Sequence, residues 1–141
     1  MATKFNWSRN VSYNEQAKTA FHSMARARLR LLASALGMDS ASYEIRSNKG
    51  GAAVSGEITL HHEKVYIQAS QSCMGPESGI MYRTCDGRRD YTGGYNNFMP
   101  LGMLDDIDAM AKKVRRLIEP PRTVAARVSS PLSRFEPGGP S

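Results

Sequence analysis

Apolar and polar positions alternate with a helical period at both ends of the patterned region and with a period of two between them. From Ala17 to Ala35 the apolar residues Ala17, Phe21, Met24, Leu31 and Ala35 recur at helical spacing, and Ala25, Leu32 and Leu36 widen the stripe. Ser12-Tyr13-Asn14-Glu15 reads as a capping box, with Ser12 at the N-cap and Glu15 three residues on. The spacing therefore predicts a helix to about Leu36, ended by Gly37 at the C′ position. Arg26 and Arg30 fall on the far side of this helix, whereas Arg28 falls in the middle of the stripe. A cation there needs an anion, a path to water along its stem, or a ligand. Glu44 and Glu57 are the side-chain partners considered for it.

After Gly37 the period becomes two. Tyr43 and Ile45 share a face within Ser42–Ser47, and Asn48-Lys49-Gly50-Gly51 signals a turn. Ala52, Val54, Gly56, Ile58 and Leu60 alternate with polar or small residues, His61-His62-Glu63 reads as a connection, and Val65, Ile67 and Ala69 alternate with Tyr66, Gln68 and Ser70. A fourth strand is expected from Gly79 to Cys85. Helical spacing returns over Leu101–Ile118, with Leu104, Ile107, Met110, Ala111, Val114 and Leu117 on one face. Acids at Asp105, Asp106 and Asp108 precede bases at Lys112, Lys113, Arg115 and Arg116, the order that suits a helix macrodipole.

The expected fold is α+β: a four-stranded antiparallel sheet flanked by an N-terminal and a C-terminal helix, in the order α-β-β-β-β-α, with both helices on one face. The other face should show Arg46, Glu57, Thr59, Tyr66 and Gln68, with Tyr82 a candidate to join them. Such a face commonly binds something or closes by oligomerising. Residues 1–118 are expected to form one domain. Residues 119–141 hold five of the seven prolines and no apolar period, so they read as a Pro/Ser/Arg-rich tail, disordered by itself.

Composition sharpens the list of partners. The chain has 141 residues and a formal charge of +6, and residues 1–118 contain 16 Lys/Arg against 11 Asp/Glu. That excess favours anionic partners. Two cysteines without a CxxC pair suit a reducing cytoplasm. The opening residues MATKFNWSRN lack the apolar core of a signal peptide, and no apolar run approaches the roughly 20 residues of a membrane span.

Arg83–Asn97 holds the candidate chemistry. Its fifteen residues include three arginines, two aspartates, three glycines, two tyrosines and two asparagines, with no aliphatic side chain. It cannot build a core, but it can present guanidinium forks, amides and glycine-freed backbone N–H groups to an anion. Neither a GxxxxGK[ST] nor a GxGxxG motif is present. His61, His62, Cys73 and Cys85 lack structural-zinc spacing, and Cys85 lies in no nucleophile motif, so neither a metal site nor a catalytic residue is assigned and no cofactor is expected. Asp86 and Asp90 suit positioning of Arg88 and Arg89.

The expected function is therefore non-enzymatic binding of a nucleotide-like anion by a homo-oligomer. Arg28, Arg83, Arg88 and Arg89 would grip phosphates, Tyr91 or Tyr95 would stack a base, and Asn96 and Asn97 would read its edges or a ribose. The general plan is similar in outline to oligomeric phage proteins that sequester nucleotide-type immune signals; that likeness implies a phage-encoded counter-defence protein in a host cytoplasm. The alternatives are a virion or nucleic-acid-associated structural protein, and a small hydrolase acting on nucleotides, for which no triad or carboxylate pair is evident.

Overall fold

The computed structural model describes residues 5–7, 9–11, 14–49, 55–71, 75–87, 90 and 94–119. The long helix, α1, spans Glu15–Ala35. Its cap is Asn14, whose side-chain oxygen accepts the Ala17 N–H at 3.0 Å, so the cap lies two residues later than the Ser12 capping box predicted. Glu15 opens the helix, and Ser12 lies outside the described residues. At the other end Gly37 adopts φ +71°, its N–H donates to Ser34 O at 3.0 Å, and the Met38 N–H donates to Ala33 O at 2.9 Å. This Schellman arrangement satisfies carbonyls that the helix leaves unpaired.

The buried face of α1 differs from the expected stripe. Phe21, Ala25, Leu29, Leu32 and Ala33 are fully buried, while Leu31 is 51% exposed and Met24 only half-buried. The face is turned by roughly a quarter of the helix circumference, close to one residue's rotation. Two features pull it round. Leu29 enters the core, and the N-terminal segment stacks Trp7 edge-on against Phe21 at 5.8 Å. Arg28 consequently sits at the margin of the buried face rather than at its centre.

Five strands, one more than expected, form an antiparallel meander in the order β1-β2-β3-β4-β5: Tyr43–Asn48, Glu57–His62, Val65–Ser70, Ile80–Thr84 and Asn97–Met99. His61 and His62 belong to β2, and the connection is Glu63-Lys64 alone. The additional strand has three residues, too few for a period of two to register, and is defined by its pairing of Ile80 with Met99 and Tyr82 with Asn97.

Register assigns the faces. Ile45, Leu60, Ile67 and Tyr82 lie across from one another, as do Ile58, Ala69, Ile80 and Met99. These residues face the helices, so Tyr82 does not join the opposite face. A 3-10 turn over Leu101–Asp105 leads into α2, Ile107–Ile118. The expected continuous helix breaks at Asp106, whose side chain accepts the Ala109 N–H at 3.2 Å and restarts the helix. The helices pack together on one side of the sheet, α1 against β1 and β2 and α2 against β4. The Arg115 guanidinium donates to Ala35 O and ties α2 to the end of α1. Among the described residues no helix is long and apolar enough to cross a membrane. The Pro/Ser/Arg-rich segment from Pro120 onward lies outside them.

Candidate functional site

The sheet face turned away from the helices carries one continuous row. Register sets Glu44 beside His61, His61 beside Tyr66, and Tyr66 beside Arg83. Side chains opposite one another on neighbouring strands come within contact distance. The rings of His61 and Tyr66 meet in a T-shaped contact, with centroids 5.0 Å apart at 84°. The Arg83 guanidinium carbon lies 4.6 Å from the centre of the Tyr66 ring, a cation–π geometry. Arg83 also donates through Nη1 to Asn96 Oδ1 at 3.4 Å, and the Tyr66 hydroxyl donates to Gln68 Oε1 at 3.2 Å.

His61 is fully buried despite this position, because the chain leaving β4 doubles back over it. The Cys85 N–H donates to Lys64 O at 2.9 Å and the Gly87 N–H to Glu63 O at 2.8 Å, which pins the segment to the β2–β3 turn. Asp90 shapes it by accepting the Asp86 N–H at 2.9 Å. Gly87 O then lies 3.2 Å from His61 Nε2, and Arg46 Nη2 lies 3.3 Å from His61 Nδ1. A carbonyl only accepts and a guanidinium only donates. His61 is therefore the neutral Nε2–H tautomer, donating to Gly87 and accepting from Arg46. Burial pushes its pKa below the ordinary value, and the Arg46 charge adds to that. Arg46 is itself paired with Glu44 at 3.3 Å. Burial pushes the Cys85 thiol up, and its sulfur donates to His62 O at 3.1 Å. The thiol is thus protonated at neutral pH and is a poor nucleophile.

Of the residues singled out in the sequence, the structure brings together Arg83 and Asn96. Tyr95 stands 92% exposed next to them along the chain. Asn97 turns its amide to the backbone instead, donating to Tyr82 O at 3.3 Å and Tyr95 O at 3.0 Å, and so closes the loop onto β4. Arg88, Arg89 and Tyr91 lie outside the described residues. Arg28 is on the helical side of the sheet, remote in the fold from Arg83, and its anion is Asp105 at 4.0 Å rather than Glu44 or Glu57.

Arg46 and His61 lie with Arg83 on this face, although the sequence marked the one only as a sheet-face residue and the other only as a metal-ligand type or a possible base. Their proximity depends on register. Phe98, 47% exposed, sits across from Met81 in the next row of the same face. Among the described residues no three His, Cys, Asp or Glu side chains gather as a metal ion would require. A comparison with protein families, curated proteins and solved structures gives no match.

Proposed function

We propose that this protein is a non-enzymatic binder of an anionic, nucleotide-like ligand, held at the base of the β4–β5 loop on the sheet face turned away from the helices. His61 is buried on that face, and so are Thr59 and Tyr66, which the sequence led one to expect on display. The observation that carries this reading is the Arg83 guanidinium, fixed between the Tyr66 ring and Asn96 beside the loop. A guanidinium stacked on a ring has lost much of its side-chain freedom in advance, so less is lost when it grips a phosphate. Arg46, in the neighbouring row and paired with Glu44, supplies a second cation beside His61, and the exposed Tyr95 and Phe98 supply surfaces on which a base could stack. The groups suited to catalysis support binding over turnover. Both His61 ring nitrogens are engaged, and the Cys85 thiol stays protonated. Homo-oligomerisation belongs to the same reading, with Leu31 and Phe98 as exposed apolar side chains on opposite sides of the fold.

Calorimetric titration of the full chain with mono-, di- and cyclic nucleotides tests this. Binding that falls about tenfold or more in Arg83→Lys is expected, because a charge-assisted bidentate contact is worth roughly 1.5–3 kcal/mol. No heat from any member of the panel at millimolar concentration would remove the proposal.

A further inference from the structure

The strand that carries Arg83 on one face carries Tyr82 on the other, and Tyr82 opens onto a different cleft. α2 runs past the short edge strand β5 here, and its residues Lys113, Arg116 and Leu117, three and four positions apart, line one side of the opening. Tyr82 and Asn97 line the other side of this open depression, whose volume is about 220 Å³. Among the described residues no acid lines the cleft, and neither Lys113 nor Arg116 has an acidic partner. Arg115, between them in sequence, turns instead to Ala35 O. The Asn97 amide group donates to two backbone carbonyls, which fixes its orientation and leaves its oxygen as an acceptor.

We infer that this cleft is a second anion site, distinct from the Arg83 face, and that it takes a phosphomonoester attached to a small ring or sugar. Lys113 and Arg116 would share the dianion, and the half-buried Tyr82 and Leu117 form the apolar wall for the attached group. Small-molecule sites usually enclose about 300–1,000 Å³, so this one holds a single compact group with the remainder of the molecule in solvent. Cations late in a helix also complement its dipole, but that role needs no aromatic wall and no oriented amide.

Nuclear magnetic resonance titration of the full chain with inorganic phosphate, then with adenosine monophosphate at constant ionic strength, tests the site. Saturable shifts centred on Tyr82, Asn97, Arg116 and Leu117, with a dissociation constant of about 1 mM or tighter for the nucleotide, are expected. Lys113→Gln and Arg116→Gln change exposed positions and should each weaken binding about tenfold. Arg83→Lys should leave these shifts unchanged, which separates this site from the one proposed above. Shifts that are linear in concentration, or that chloride reproduces, would overturn the inference. So would equal loss in Arg83→Lys. Broad, steeply salt-dependent shifts along Lys112–Arg116 with a single-stranded oligonucleotide, and none with the monophosphate, would overturn it as well and make α2 a nucleic-acid face instead.

Discussion

Arg28 and Asp105 approach to 4.0 Å where α1 meets the 3-10 turn before α2, with about a third of the arginine side chain and a sixth of the aspartate side chain still exposed. At that distance and exposure the pair is a weak tie. Solvent screening holds such pairs to roughly 0–1 kcal/mol. A fully buried pair would lose about 3–5 kcal/mol when one partner is removed.

Arg28→Ala should therefore destabilise the protein by about 1 kcal/mol, with a melting-temperature drop of a few degrees. A double-mutant cycle of Arg28→Ala with Asp105→Asn should give a coupling below about 1 kcal/mol. A coupling near 3 kcal/mol would show a desolvated core ion pair. Nucleotide binding should be unchanged in Arg28→Ala, since the sheet separates this residue from Arg83.

His61 and His22 set the response to acid. Burial lowers the pKa of both from an ordinary value of 6.5. His22 Nε2 donates to Ser55 O at 2.8 Å, while its Nδ1 is buried with no partner among the described residues. For a base whose folded pKa is depressed, the unfolded chain takes up the proton first. Stability is thus intact above about pH 6.5 and falls as pH drops toward the folded pKa, by up to about 1.4 kcal/mol per pH unit per histidine. Thermal melts from pH 8 to pH 5 should show this decline. His61→Gln should be less stable at pH 8 but have a shallower slope. A protein more stable at pH 5.5 than at pH 7.5 would contradict the neutral tautomer assigned to His61.

Gly94 holds the base of the β4–β5 loop against β4. It has φ +77°, and a Cβ there would lie 2.5 Å from Thr84 O and 2.7 Å from Thr84 Oγ1. Gly37 has a similar φ of +71° but open space around it. Gly37→Ala should cost about 1 kcal/mol, the conformational penalty alone. Gly94→Ala adds a clash with backbone and should cost more. It should also displace Tyr95 and Asn96 and weaken nucleotide binding, whereas Gly37→Ala should leave binding intact. Chemical denaturation and titration of the two variants side by side measure the difference.

Cys85 should react with a thiol reagent at pH 8 more slowly than a free cysteine, because burial raises its pKa. Cys85→Ser keeps a donor toward His62 O and should retain fold and binding. Fast labelling, or lost binding in a folded Cys85→Ser protein, would bring the thiol back as a functional group. Cys73 lies outside the described residues.

Local pattern was enough to define the kind of fold. The helical spacing in α1 and α2, the stop at Gly37, and the alternation through β2 and β3 each depend on neighbours within a few residues, so they are written in the chain itself. The polar stretch from Arg83 to Asn97 has no aliphatic side chain to bury and read as a loop, but Arg83 and Thr84 belong to β4 and Asn97 to β5. Non-local contacts decided the rest. The edge strand β5 exists because Ile80 and Tyr82 offer it a partner. Packing on the sheet buries Leu29 and leaves Leu31 exposed, which the spacing of apolar residues along α1 alone does not decide. Asp105 reached Arg28 through packing of the 3-10 turn on α1, which no spacing rule anticipates. The row of Glu44, His61, Tyr66 and Arg83, with Arg46 reaching His61 from the row beside it, depends on register, and a slip of one residue in any strand would send that strand's side chains to the other face. Sequence periodicity states that a strand has two faces; only the packed sheet decides which residues of different strands become neighbours.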